Sequence, residues 1–474
     1  MNPMHSMTRN GDANRRIFIY VLMLFLFAAG CAHYPINDPL EGLSPKSERR
    51  PKGANAPGSS EKLHIILTFS GGGTRAAAFS YGVLEALAKT EFSIDGSKRS
   101  LLDEVDVMSG VSGGSFTAAY YGLYGDRIFE DFESRFLKEN VQKQLLVRTL
   151  LYPQNWFRLF SPHFGRSDLA AEYYDKHVFD GGTFADINAR GGPLIVINAT
   201  DMTFGSWFTF TPNMFEVICS DLASMQVARA TAASSAVPGA LSPITLKNYA
   251  GSCEFVMPER LHNALERPDE MHGVYHLALQ VEAYRDAKIK PYIHLVDGGV
   301  ADNLGLRAGI DRISLSDDFW ASLKYLGLDD VQKIVIIVVN AEPGIDLSWD
   351  LREKPPSSLA ALGSFSSVSI SRYNFETLNL LRGNFKHWAE EIRSGRCRER
   401  GAVISADPGS CGDIAFYLVE VGFDALQDDE ERKYMKSLPT SFVLPPEDID
   451  HLRDVAHRVL VQSAEFQQLL KDLK

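Results

Sequence analysis

The sequence predicts an α/β protein: a mostly parallel central sheet flanked by helices, with a mainly helical C-terminal extension. Three observations predict it. Short apolar, β-prone runs recur along the chain, glycine-rich turns follow the first two of them, and each of those turns opens onto a helical pattern. Leu63–Phe69 is the first such run; it ends at Ser70-Gly71-Gly72-Gly73, and Thr74 to Lys89, rich in Ala and Leu, reads as a helix. The plan then repeats, with Val105–Met108 as strand, a turn at Gly110-Val111-Ser112-Gly113-Gly114, and a helix from about Ser115 to Tyr124. Leu194–Ala199, Tyr292–Val296 and Ile334–Val339 read as further buried strands. Alternation of this kind gives a largely parallel sheet, and sites in such sheets gather beyond the carboxyl ends of the strands.

Composition excludes several classes of function. With 474 residues, 45% hydrophobic and 23% charged, the chain has material for a sizeable core in one large domain or two moderate ones. The net charge of −12, without a cluster of Lys and Arg, argues against a nucleic-acid partner. The scattered histidines and the cysteines lack metal-ligand spacing, so neither a metal nor a cofactor is expected.

Residues 1–30 read as an export signal. A basic stretch ending in Arg15-Arg16 precedes the apolar run Ile17–Phe27, too short to span a bilayer comfortably, and then comes Ala28-Ala29-Gly30-Cys31. This resembles a bacterial lipoprotein signal cleaved before a lipid-modified Cys31, although Ala28 stands where leucine is usual; Ala32 after the cysteine favours the outer membrane. Cleavage removes a net charge of +2 and leaves −14. Residues 31–61 alternate Pro, Gly, Ser and charge, which predicts a flexible linker with nothing buried. The main domain is expected over residues 62–345 and the extension, packed on it, over residues 346–474. In an exported chain the remaining four cysteines suggest two disulfides, and the local pairs Cys219–Cys253 and Cys397–Cys411 close the shorter loops.

The turns carry the chemistry. A G-x-S-x-G sequence between strand and helix bends the backbone sharply and presents Ser112 at a helix N-terminus, where a developing negative charge is favoured. The bland reading is an N-capping serine in a glycine-rich connection. Upstream, Gly71, Gly72 and Gly73 leave N–H groups free at the start of a helix, as an oxyanion requires. Phosphate binding is the rival, but neither G-x-x-x-x-G-K-S/T nor G-x-G-x-x-G fits. Arg75 either orients a phosphate-bearing substrate or fixes the loop by a salt bridge.

Ser70-Gly71-Gly72-Gly73-Thr74-Arg75, Gly110-Val111-Ser112-Gly113-Gly114, Ala233-Ser234-Ser235-Ala236-Val237-Pro238 and Asp297-Gly298-Gly299, in that order, resemble the patatin-like phospholipases over roughly residues 63–345. Phe164–Leu169 and Asn198–Asp201 look like segments of bacterial members. The resemblance implies Ser112 as nucleophile, Asp297 as its partner in a Ser-Asp dyad, and Gly71, Gly72 and Gly73, with Gly113, as the oxyanion hole. An ordinary aspartate is a weak base, so burial of Asp297 behind an apolar strand is required to raise its basicity.

Two alternatives stand beside this reading. A Ser-Asp-His α/β-hydrolase would recruit His387, His451 or His457, each in a charged and expectedly helical segment, and a non-catalytic envelope lipoprotein would only bind lipid. A membrane lipid is the expected substrate and partner, and the aromatic stretch Tyr152–Phe164 is a candidate apolar lip for acyl chains. In the extension, Ser367–Lys386 and Pro446–Leu473 read as amphipathic helices and Asp413–Val421 as a strand.

Overall fold

The structure is a computed structural model that describes residues 32–41, 58–94, 97–269, 271–313, 315–316, 318–344, 350–351, 353–355, 357–400 and 411–473. The expected signal segment and Cys31 lie outside the described residues, as does the linker from 42 to 57. Among the described residues no helix is long and apolar enough to cross a membrane.

The first apolar run is strand β1 (Leu63–Phe69), and its glycine turn leads into α1 (Gly73–Lys89). After a small hairpin come β2 (Val105–Val111) and α2 (Gly113–Tyr124). Among the short helices that follow are α3 (Val141–Leu151), α4 (Pro153–Leu159) and α5 (Arg166–Tyr174). Next are β3 (Leu194–Asp201), β4 (Ser206–Phe210), α6 (Val227–Ser234), β5 (Ile244–Lys247), β6 (Tyr292–Asp297) and β7 (Lys333–Asn340). The chain ends with α7 (Ser358–Glu399), β8 (Ala415–Gly422), α8 (Pro446–Gln462) and α9 (Ala464–Asp472).

The central sheet has the order β8-β7-β1-β2-β3-β6-β5, with β4 also on β3. Pairing is parallel from β8 to β3 and antiparallel beyond it. The register of β3 positions the site. Its residues 197–201 pair with β4 along one side. On the other side β2 runs up to Val111 opposite Asn198, while β6 arrives from the opposite direction with Asp297 opposite Ala199. Two strand ends therefore meet head-on, and Ser112 and Asp297 are the residues at the junction.

Apolar side chains cover both faces. One layer, with Phe79, Leu84, Phe116 and Tyr120, packs under α1 and α2; the other, with Leu304, Trp320, Ile334, Trp388 and Ile392, lies under α7. Burial on both faces explains why β1 and β7 read as continuous apolar runs rather than as alternations.

Two sequence expectations need correction. Residues 32–41, expected as part of an unpacked tether, lie along the domain. Asn37 is buried, donates to Ser220 Oγ at 2.8 Å and the Lys247 carbonyl at 2.9 Å, and accepts the Lys247 N–H at 2.7 Å. Its amide completes the pairing of an edge strand, work that composition does not reveal. The second concerns residues 346–474, which share the fold rather than being appended to it. β8 pairs with β7 over eight residues, and α8 packs along α1, where Arg453 and Glu85 form an ion pair at 2.9 Å. The boundary at 345 cuts through one sheet. The long helix α7 also exceeds the expected span Ser367–Lys386 at both ends, and its Gly395 lets it approach Trp320, whose ring a Cβ there would strike.

The four cysteines pair as Cys219–Cys253 and Cys397–Cys411, spanning 34 and 14 residues.

Candidate active site

The turn after β2 bends as sharply as its sequence suggests. Ser112 sits at φ 49° and ψ −120°, one of the few non-glycine residues described with positive φ. The strain is held by a specific bond: Ser112 N–H donates to Ser234 Oγ at 2.8 Å, and Ser234 Oγ donates in turn to the Asn198 carbonyl at 2.6 Å. Asn198 Nδ2 anchors the start of the turn through Ser109 Oγ and the Gly110 carbonyl. Gly113 cannot carry a side chain, since a Cβ there would collide with the carbonyl oxygen of Gly73. The serine turn and the triple-glycine turn are thus in backbone contact.

Ser112 Oγ donates to Asp297 Oδ2 at 2.8 Å, across 185 residues of sequence. Asp297 Oδ1 accepts the Gly299 N–H at 2.8 Å, so each carboxylate oxygen has one donor. The backbone of Asp297 is fixed as well, its N–H on the Ala236 carbonyl and its C=O on Thr200 Oγ1. Burial pushes the carboxyl up from its ordinary 3.8 to about 6, while the Gly299 N–H and the Ser112 hydroxyl pull in the other direction. An acid of pKa about 6 is a far better proton acceptor than a surface aspartate. Serine and aspartate are both nearly excluded from solvent.

The donor cradle is smaller than the sequence suggests. Gly71 N–H is committed to Asn303, at 3.2 Å from its carbonyl and 3.1 Å from Oδ1, so it has no proton to offer an oxyanion. Gly71 serves by its lack of a side chain, because a Cβ there would meet Asn303 Oδ1 at 2.6 Å and Ser112 Cβ at 3.3 Å. Gly72 and Gly73 take φ of 143° and 61°, conformations that glycine adopts at little cost. Of the donors expected for an oxyanion, Gly72 and Gly73 remain as candidates, with Gly113 at the head of α2.

Arg75 is corrected too. It is buried and spends its guanidinium on the C-terminal segment: Nε on the Ala341 carbonyl at 2.9 Å, Nη1 on the Leu438 carbonyl and Nη2 on Thr440 Oγ1 at 3.0 Å. Desolvation lowers its pKa to about 10. It therefore faces no substrate and joins the glycine loop to the strap at 438–441, where the Ser441 carbonyl also accepts Thr74 N–H. The fixing reading of Arg75 was right in purpose, but carbonyls rather than a carboxylate hold it. Of the segments noted in the sequence, Phe164–Leu169 supplies Asp168, whose buried ion pair with Arg229 at 2.8 Å ties α5 to α6.

The three histidines lie elsewhere. His387 pairs with Glu391 and His451 with Glu431, and His457 is exposed on α8. Sequence reasoning missed Ser234 and Asn303 as site residues. Ser234 had a signal, its place in the Ala-Ser-Ser-Ala-Val-Pro motif; Asn303, just beyond Asp297-Gly298-Gly299, had none that chemistry alone would single out.

A family model described as Patatin-like phospholipase matches residues 67–310. The chain belongs to the patatin-like phospholipase family. Ser112, Asp297, the two glycine turns, Ser234, Asn198 and Asn303 all fall within the matched span, whereas Ala341 and the strap at 438–441 lie outside it. Among solved structures, this patatin-like protein is similar to human GIVD cytosolic phospholipase A2, at 12% identity and a TM-score of 0.40, covering 87% of this chain and 60% of that one. The same enzyme in complex with methyl gamma-linolenyl fluorophosphonate matches at 14% identity and a TM-score of 0.40, covering 87% and 59%. The chain spans about 60% of the length of those structures. A comparison with curated proteins finds no match.

Proposed function

We propose that this patatin-like protein is a phospholipase A or lysophospholipase that works through a Ser112–Asp297 dyad and an acyl-enzyme. The observation that carries the reading is the 2.8 Å hydrogen bond from Ser112 Oγ to a carboxylate whose burial raises its basicity. As Oγ attacks the ester carbonyl, its proton passes to Asp297 Oδ2. The carbonyl oxygen becomes an oxyanion facing the N–H groups of Gly72, Gly73 and Gly113. Collapse breaks the ester bond, and the departing alcohol takes the proton from Asp297. Water then gives a proton to Asp297, attacks the acyl carbonyl and releases the fatty acid, and Oγ regains its proton.

The N-terminal sequence supports export and anchoring through a lipid on Cys31, with the enzyme at the outer membrane facing the periplasm. A histidine-dependent triad is disfavoured by the ion pairs that engage His387 and His451 away from the serine. A purely lipid-binding role is disfavoured by the intact Ser112–Asp297 pair. The test is covalent labelling with a fluorophosphonate: the wild type is expected to label and Ser112→Ala to stay blank. A folded wild type that does not label sinks the catalytic reading.

A further inference from the structure

The stretch Tyr152–Phe164 reads in the sequence as a candidate acyl lip or as core. Its position points to another role. α3 and α4 carry an outward apolar face made of Leu146, Leu150, Leu151, Tyr152, Trp156 and Phe160, with Leu151 70% and Phe160 72% exposed. A contiguous exposed patch of large apolar side chains on a soluble fold marks a contact surface. Three observations say what covers it.

Charge is the first. From Asn140 to Ser167 the chain carries Lys143, Arg148, Arg158 and Arg166 and no acidic residue, within a protein of net charge −12; Arg158 is paired with Glu172 of α5, which leaves Lys143, Arg148 and Arg166 as the basic margin. An apolar face with a basic margin complements an anionic phospholipid surface.

Attachment to the site is the second. At the start of α3, Gln142 N–H donates to the Phe442 carbonyl, one residue from the Ser441 that holds Thr74 at the glycine loop. Just past α4, Arg166 Nη2 donates to the Gly239 carbonyl at 3.2 Å, three residues from Ala236, which holds the Asp297 N–H. The segment from the start of α3 to the start of α5 thus runs from the strap beside the glycine loop to the 236–239 turn beside Asp297.

The third is where the N-terminal segment is seated. Tyr34 N–H donates to the His163 carbonyl, Ser161 Oγ donates to the Ala32 carbonyl, and the His33 and His163 rings stack at 5.0 Å. Residue 32 is therefore fixed at Ser161, next to Phe160 at the edge of the apolar face.

We propose that the α3–α4 face is a membrane-docking surface that seats the mouth of the dyad on an anionic phospholipid bilayer, with residues 32–41 clamping the lipid-anchored end at its margin. This deepens the phospholipase reading and rests on it for the substrate. The full-length protein is bound to vesicles of phosphatidylglycerol and phosphatidylethanolamine containing acyl-brominated lipid, and tryptophan emission is read. Bromolipid is expected to quench a component that disappears in Trp156→Phe; equal quenching in both proteins overturns the proposal. Self-association through this face, seen as a mass doubling with no bromolipid quenching, overturns it as well.

In parallel, Leu150→Gln/Leu151→Gln is expected to lose about tenfold in hydrolysis of vesicle phospholipid and to keep a soluble short-chain ester rate within about twofold. An equal loss on both substrates overturns docking. A wild type that hydrolyses neither substrate while Trp156 is still quenched overturns the phospholipase reading and leaves docking standing.

Discussion

Replacing Asp297 by Asn is expected to stabilise the protein while destroying its activity. Wild-type Asp297 carries its charge at neutral pH in a buried position, and the fold raises its pKa from 3.8 to about 6. At about 1.4 kcal/mol per pH unit, holding that carboxylate costs about 3 kcal/mol. The sign follows from proton linkage. An acid whose pKa is higher in the folded state is a burden above that pKa, and the burden lifts as pH falls from about 6 towards about 4, where the unfolded chain also becomes protonated. Asparagine carries no such charge and keeps an oxygen for the Gly299 N–H. At pH 7.5 the variant is expected to melt about 3 °C higher, with the difference shrinking to nothing near pH 4. Activity is expected to fall by about 10³ to 10⁴, since asparagine cannot accept the Ser112 proton. In the wild type, kcat/KM is expected to rise with pH through about 6 as Asp297 ionises. Differential scanning calorimetry across pH, with hydrolysis of a soluble ester, checks both halves. An Asp297→Asn protein that melts lower at pH 7.5, or keeps a tenth of the activity, refutes the reasoning.

Three further outcomes are expected. His387→Ala, His451→Ala and His457→Ala should each keep kcat/KM within about twofold; a dead variant among them would end the dyad reading. Gly113→Ala drives a methyl into the Gly73 carbonyl and should cost at least about 2 kcal/mol in thermal or urea unfolding. Deleting residues 346–474 strips β8 from β7 and α8 from α1, so the product should be aggregated by size-exclusion chromatography; a monodisperse, active truncation would contradict this.

Elements whose burial and periodicity agree were legible in the sequence. Leu63–Phe69 was placed to the residue, and β2, β3, β6 and β7 differ from expectation only at their ends. The two glycine turns were found because their chemistry demands a narrow set of residues. What escaped was set by distant partners. That Gly71 spends its N–H on Asn303, and Arg75 its guanidinium on Leu438 and Thr440, depends on contacts across 232, 363 and 365 residues, which leave no local pattern. The direction of β6 was hidden for a similar reason, because a buried strand reads the same whether it runs with or against its neighbour. Asn37 was hidden by composition, since a polar residue in a proline-rich stretch looks like linker until its amide finds an edge strand.

The abutting strand ends on β3 bear on when the protein becomes an enzyme. Ser112 and Asp297 come into reach only after β2 and β6 have both zipped onto the same side of β3 from opposite directions. A chain in which only one of these strands has docked holds neither the carboxylate beside the hydroxyl nor the burial that makes it basic. On the dyad reading proposed above, recovery of esterase activity during refolding is a clock for the completed central sheet.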